Sequence, residues 1–65
     1  MKIEYDEETD TLTIVLRECR IRESDELRPG VIVDFGHDGG MVSMEILNAS
    51  KVVDATKEIN FAIAH

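Results

Sequence analysis

Apolar side chains recur at every second position along two stretches of this chain, and that period confines most of it to β-hairpins. Ile3 and Tyr5 stand between Lys2, Glu4 and Asp6, and further on Leu12, Ile14 and Leu16 alternate with Thr11 and Thr13. A period of two sends successive side chains to opposite faces of a strand. Residues 2–16 are therefore predicted as one hairpin, with Asp6-Glu7-Glu8-Thr9-Asp10 as its polar turn. Val31-Ile32-Val33-Asp34-Phe35 is the most strand-like run, and Gly36-His37-Asp38-Gly39-Gly40 supplies residues able to adopt the positive φ of a tight turn. Beyond it Val42, Met44 and Ile46 share one face, with Ser43 and Glu45 on the other. This is a second hairpin, over residues 31–47. Regular alternation would also send Met41 and Met44 to opposite faces, one into the core and one under a helix or a second subunit.

The segments outside the hairpins carry weaker patterns. In residues 17–29 only Ile21, Leu27 and Cys19 are apolar, and Arg or Glu fill most other positions. Two readings stand: a charged edge strand, whose charges discourage further pairing, or a helical turn opened by Ser24-Asp25-Glu26. Pro29-Gly30 then marks a turn. After Asn48 the period changes, because Val52, Ala55, Ile59 and Ala62 or Ile63 recur at helical spacing. Asn48 or Ser50 could cap that helix by accepting a bond from a free backbone N–H. The expected fold is α+β: a small antiparallel sheet of two β-hairpins, about four strands, with a C-terminal helix packed on one face. Residues 1–65 are read as a single small domain.

A chain of 65 residues buries a thin core and usually needs a supplement. With one cysteine, Cys19, an internal disulfide is impossible, and a reducing compartment is expected. His37 and His65 are the only histidines, which excludes the usual cysteine-and-histidine zinc sites. Self-association is the supplement that remains, and a homo-oligomer, most simply a dimer, is expected. Val53 and Phe61 lie off the helical stripe, and Val15, Ile32 and Leu47 lie on the second sheet face; together they exceed what one short helix would cover. The formal net charge of −7 opposes phosphate, so nucleic acid is not an expected partner. Such a surface keeps a small protein soluble and would steer a basic protein partner. No apolar run approaches the ~20 residues that cross a bilayer, so no membrane partner is expected. The N-terminus alternates charge where a signal peptide would be apolar, and a cytoplasmic location is expected. Asn48-Ala49-Ser50 fits a glycosylation acceptor by chance alone on that reading.

Four constellations could carry chemistry. Asp34, Asp38, Gly39, Met41 and Glu45 occupy positions one, five, six, eight and twelve of a twelve-residue span, the layout of a helix-flanked calcium loop. Gly36 stands where the third-position ligand belongs, and both flanks alternate like strands. Asp6, Glu7, Glu8 and Asp10 form the densest acidic cluster, able to hold a divalent cation weakly or to stand as a solvated hairpin tip. His37 beside Asp38 could act as a base if both faced a pocket, but a turn tip is normally convex and wet. Cys19 has Arg17 and Arg20 close by in sequence, which can activate a thiol; a small packing residue is the plainer reading. No phosphate loop, nucleophile elbow or histidine metal motif is present. The chain is therefore read as a non-enzymatic protein-interaction module acting as a homo-oligomer, with no catalytic, cofactor or metal residue assigned. The alternative is a weak divalent-metal or small-ligand binder using Asp34, Asp38 and Glu45 or the 6–10 cluster.

Pro29-Gly30-Val31-Ile32, Asp38-Gly39 and Glu45-Ile46-Leu47-Asn48-Ala49-Ser50, together with Ile3-Glu4-Tyr5-Asp6 and Asp10-Thr11-Leu12, resemble a family of short prokaryotic proteins, domain of unknown function 2283. The resemblance spans about residues 2–52, with Ser43 where members commonly carry glycine and Gly36-His37 in an otherwise acidic turn. It implies no catalytic residue. Members near toxin-like genes imply an antitoxin-like or accessory role.

Overall fold

A computed structural model describes residues 1–64; His65, considered above as a metal ligand, lies outside the described residues. Both predicted hairpins form. Strand β1 (Lys2–Asp6) pairs antiparallel with β2 (Thr11–Val15), and β4 (Val31–Gly36) with β5 (Met41–Leu47). Of the two readings for residues 17–29, the charged edge strand is the one realised: β3 (Ile21–Arg28) pairs with β4 and is exposed along its length. The order across the sheet is β1-β2-β5-β4-β3, all neighbours antiparallel. The two hairpins thus join through β2 and β5, and β5 becomes the central strand.

Among the described residues the expected C-terminal helix is absent, so the fold is all-β, five strands rather than about four, and not α+β. Only Ala49–Lys51 forms a turn of 3-10 helix, and residues 52–64 are turns and irregular backbone. The physical reason lies in the sequence. Isolated helical turns are marginal without a tertiary face to bury, and the stripe Val52, Ala55, Ile59 and Ile63 remains in solvent. Val52, Val53, Thr56, Ile59 and Ile63 are β-branched and enter helices reluctantly, and Ala55 takes a left-handed conformation (φ 48°) that ends any helix there. Asn48, one of the two expected caps, is itself left-handed (φ 53°) and makes no side-chain capping bond.

Cross-strand partners share a face, so the register sorts every strand residue. On one face Ile3, Ile14, Met44 and Val33 form a continuous row, and Tyr5, Leu12, Ile46 and Val31 form the next. On the other face run Lys2, Val15, Ser43, Asp34 and Ser24, and beside them Glu4, Thr13, Glu45, Ile32 and Glu26. Across β1, β2, β5 and β4 one face is apolar, bordered by Asp25 and Arg28 on β3, and the other is mixed and acidic. A register shift between Asp34 and Phe35 sets Phe35 opposite Met41. That bulge places Met41 on the apolar face with Met44, where unbroken alternation had separated them.

The core sits where β5 meets its neighbours. Val33 and Ala49 are fully buried, Leu12 and Val42 nearly so, and Ser43 is a buried polar side chain. The remaining apolar-face residues of the central strands, Ile14, Val31, Met44 and Ile46, are only half-buried. The helix that would have covered them does not exist.

Candidate functional site

Polar side chains fasten the sheet at both ends. At one end the chain leaves β2 and must cross the β4–β5 turn to reach the far edge. Leu16 N–H donates to the Val42 carbonyl at 2.8 Å, and Arg17 N–H to the same oxygen at 3.4 Å. The Arg17 guanidinium then grips the turn: Nη1 and Nη2 each donate to an Asp38 carboxylate oxygen at 2.7 Å, and Nε donates to the Met41 carbonyl at 3.1 Å. This two-pronged geometry is the strongest form of arginine–carboxylate pairing. The Arg17 guanidinium, aided by the Gly40 N–H, holds the Asp38 carboxyl well below the usual carboxylate range.

At the opposite end Asp10 is the knot. It closes the β1–β2 turn in a left-handed conformation (φ 53°), which aspartate tolerates better than most residues. Its Oδ1 accepts the Tyr5 hydroxyl at 2.6 Å and the Ser50 N–H at 3.0 Å, its Oδ2 accepts the Ser50 hydroxyl at 2.7 Å, and its carbonyl accepts the Ala49 N–H at 2.9 Å. Bonds from Ser50 first, then Tyr5, lower the Asp10 pKa, and the same Asp10 contact raises that of Tyr5. Ser50 was expected to cap a helix; it serves a carboxylate instead. Nearby, the Gly30 carbonyl accepts the Leu47 N–H at 2.8 Å and ties the β3–β4 turn to the end of β5.

A third set crosses the mixed face. Asp34 receives the Ser24 hydroxyl from β3 and the Ser43 hydroxyl from β5, the latter at 2.6 Å. No buried side-chain polar atom among the described residues lacks a partner.

The residues singled out for chemistry are dispersed by these bonds. Asp38 faces Arg17, Asp34 lies between two serines on β4, and Glu45 is opposite Ile32 on β5. The calcium-loop span is thus two strands and a turn. Within the 6–10 cluster, Asp6 accepts the Glu8 N–H at 2.9 Å, Glu7 pairs with Lys57 at 3.1 Å, and Asp10 turns towards Ser50. No group of three or more potential ligands converges on a metal position among the described residues. His37 is exposed at the turn tip, and Cys19 is exposed, with its neighbour Arg17 committed to Asp38. No cleft or cavity forms among the described residues.

Sequence reasoning missed the knot and the latch, because their partners are 40 and 21 residues apart. A signal for the knot was nonetheless present. The Tyr-Asp, Asp-Thr-Leu and Ala-Ser blocks that carry the family resemblance meet in space at Asp10. The resemblance itself is borne out: the family described as a protein of unknown function (DUF2283) matches residues 2–50. The chain belongs to this family. It is also 35% identical over 57 residues to an uncharacterised protein of Methanocaldococcus jannaschii, covering 88% of this chain and 48% of that one. The chain thus spans about half the length of that relative. No solved structure matches. The DUF2283 match ends at Ser50, the last partner of the Asp10 knot.

Proposed function

We propose that this DUF2283 protein is a non-catalytic interaction module that works as a homodimer, two sheets packing through their apolar faces. The observation that carries this is surface. A compact monomer of 7.3 kDa would expose roughly 4,200 Å² by surface-to-mass scaling, whereas this chain exposes 5242 Å². The excess, about 1,000 Å², is of the order of the ~800 Å² that each partner buries in a stable interface. The molecule measures 34 × 33 × 18 Å, and on its single sheet Ile14, Val31, Met44 and Ile46 stay half-buried around the buried Val33 and Leu12. Sheets find stability by burying such a face against a second layer. Packing a second copy there supplies the layer that the missing helix leaves out.

This differs from the expectation in where the copies meet. Val15, Ile32 and Leu47 lie among Glu4, Asp34 and Glu45 on the mixed face, which in the dimer points outward. That acidic surface is the side offered to a basic protein partner.

Sedimentation velocity on the full chain tests the reading. A species of twice the monomer mass at tens of micromolar is expected, and Ile14→Lys should convert it to monomer. A clean monomer of the unaltered chain at that concentration would sink the proposal.

A further inference from the structure

We infer that the dimer is strapped by its C-terminal tails, residues 59–63 of each copy lying across the apolar sheet face of the other. The inference rests on the homodimer proposed above and adds the segment that completes it. In this tail Ile59, Phe61 and Ile63 alternate with Asn60 and Ala62, the period of an extended strand rather than a helix. Each is a large apolar side chain left in water, at 61%, 74% and 68% exposure. Burying such a side chain is worth about 1.5–3 kcal/mol, so three of them in one short segment call for a surface.

That surface is not the tail's own sheet face. The preceding residues lie beside the β1–β2 end, where Lys57 Nζ pairs with Glu7 at 3.1 Å, and turn back on themselves there: Glu58 N–H donates to the Ala55 carbonyl at 2.9 Å and Ala55 is left-handed. From this anchor the tail runs free, and the rows containing Ile14 and Met44 stay half-open in the same chain. Two incompletely buried apolar surfaces are therefore present in one molecule, and they do not cover each other. In an isologous pair each tail meets the other copy's face, and both are satisfied by one symmetry operation. Five extended residues reach about 17 Å, against a molecule of 34 × 33 × 18 Å. The anchor itself lies beside Tyr5 and Asp10, so the knot fixes where the strap departs.

The experiment compares the full chain with the full-length triple variant Ile59→Ser, Phe61→Ser, Ile63→Ser by sedimentation. All three side chains are exposed in the single copy, so the variant is expected to retain the sheet, checked by its far-ultraviolet spectrum. The strap predicts that the variant's dimer dissociation constant rises at least about a hundredfold. In parallel, a photo-crosslinking phenylalanine analogue at position 61 is irradiated in a mixture of light and heavy-isotope chains. Crosslinks joining light to heavy chains at β2 or β5 are expected. A variant that dimerises as tightly as the unaltered chain, or crosslinks confined to single chains, would overturn the strap while leaving the dimer standing. A monomeric unaltered chain would overturn both.

Discussion

Asp10 and Asp38 each hold one end of the sheet, and their ionisation couples the fold to acid. Both carboxyls titrate below the usual range in the folded chain, Asp38 through Arg17 and Asp10 through Ser50 and Tyr5. A depressed folded pKa contributes stability that is complete above the unfolded value of about 3.9 and is lost as pH falls through the folded value. The thermal midpoint should therefore decline below about pH 4. Asp10→Asn keeps a residue that accepts the left-handed turn, and it should lower the midpoint at neutral pH while shallowing the acid decline. An equal decline in the variant would show that Asp10 is not a source of it. Tyr5 gives the opposite sign. Its raised pKa means a contribution present below pH ~10 and lost above it. As the only tyrosine, in a chain without tryptophan, its phenolate absorbance should appear later than in a denatured control; coincident titrations would remove the Tyr5–Asp10 bond from solution. Glycines mark two further constraints. Gly30 has φ 84° with room for a Cβ, so Gly30→Ala should cost about 1–2 kcal/mol from backbone strain alone. At Gly40 a Cβ would stand 2.7 Å from Arg17 Nη2. Gly40→Ala should push the guanidinium off Asp38, read as a return of the Asp38 titration towards the ordinary range.

At the scale of elements, legibility followed the period. Residues 2–16 and 31–47 alternate because one face of each strand is buried, and that repeating constraint is local enough to read. The β3 edge strand was only half legible, since an edge exposed on both faces has no buried side to impose alternation. The C-terminal stretch misled because helical spacing of Val52, Ala55 and Ile59 is necessary for an amphipathic helix but does not supply a partner to bury it against. In the same residues 59–63 a period of two coexists with a period of three to four, and the structure follows neither as regular secondary structure in a single copy. Pairing of β2 with β5 was illegible because it depends on which hairpin edges meet, and the knot at Asp10 decides this over 40 residues. Amide exchange should rank the strands accordingly. Protection is expected to be highest in β2, β5 and β4, each flanked on both sides, and lowest in β3, exposed along its length and with two register shifts. Strong protection anywhere in 52–58 as a contiguous block would instead argue for a helix there.

For the whole molecule, the absence of a helix changes which surface matters. A four-stranded sheet with its own helix would have been a self-sufficient layer pair, presenting Val15, Ile32 and Leu47 outward. A five-stranded sheet without one leaves Ile14, Met44, Ile46 and Val31 half-buried, and that is the face proposed above to meet a second copy. None of the sequence motifs that looked chemical bears on this. Asp34, Asp38 and Asp10 are spent on fastening strands to one another, and the surface proposed for interaction is made of residues without functional groups. That is why the hairpins were readable while the α+β class expected from them was not: apolar alternation announces a buried face but not what buries it. The most direct measurement is an isotope-filtered Overhauser experiment on a mixture of labelled and unlabelled full-length chains. Packing through the apolar face predicts intermolecular cross-peaks to the methyl groups of Ile14, Met44 and Val31. Their absence, or cross-peaks confined to Val15, Ile32 and Leu47, would contradict it.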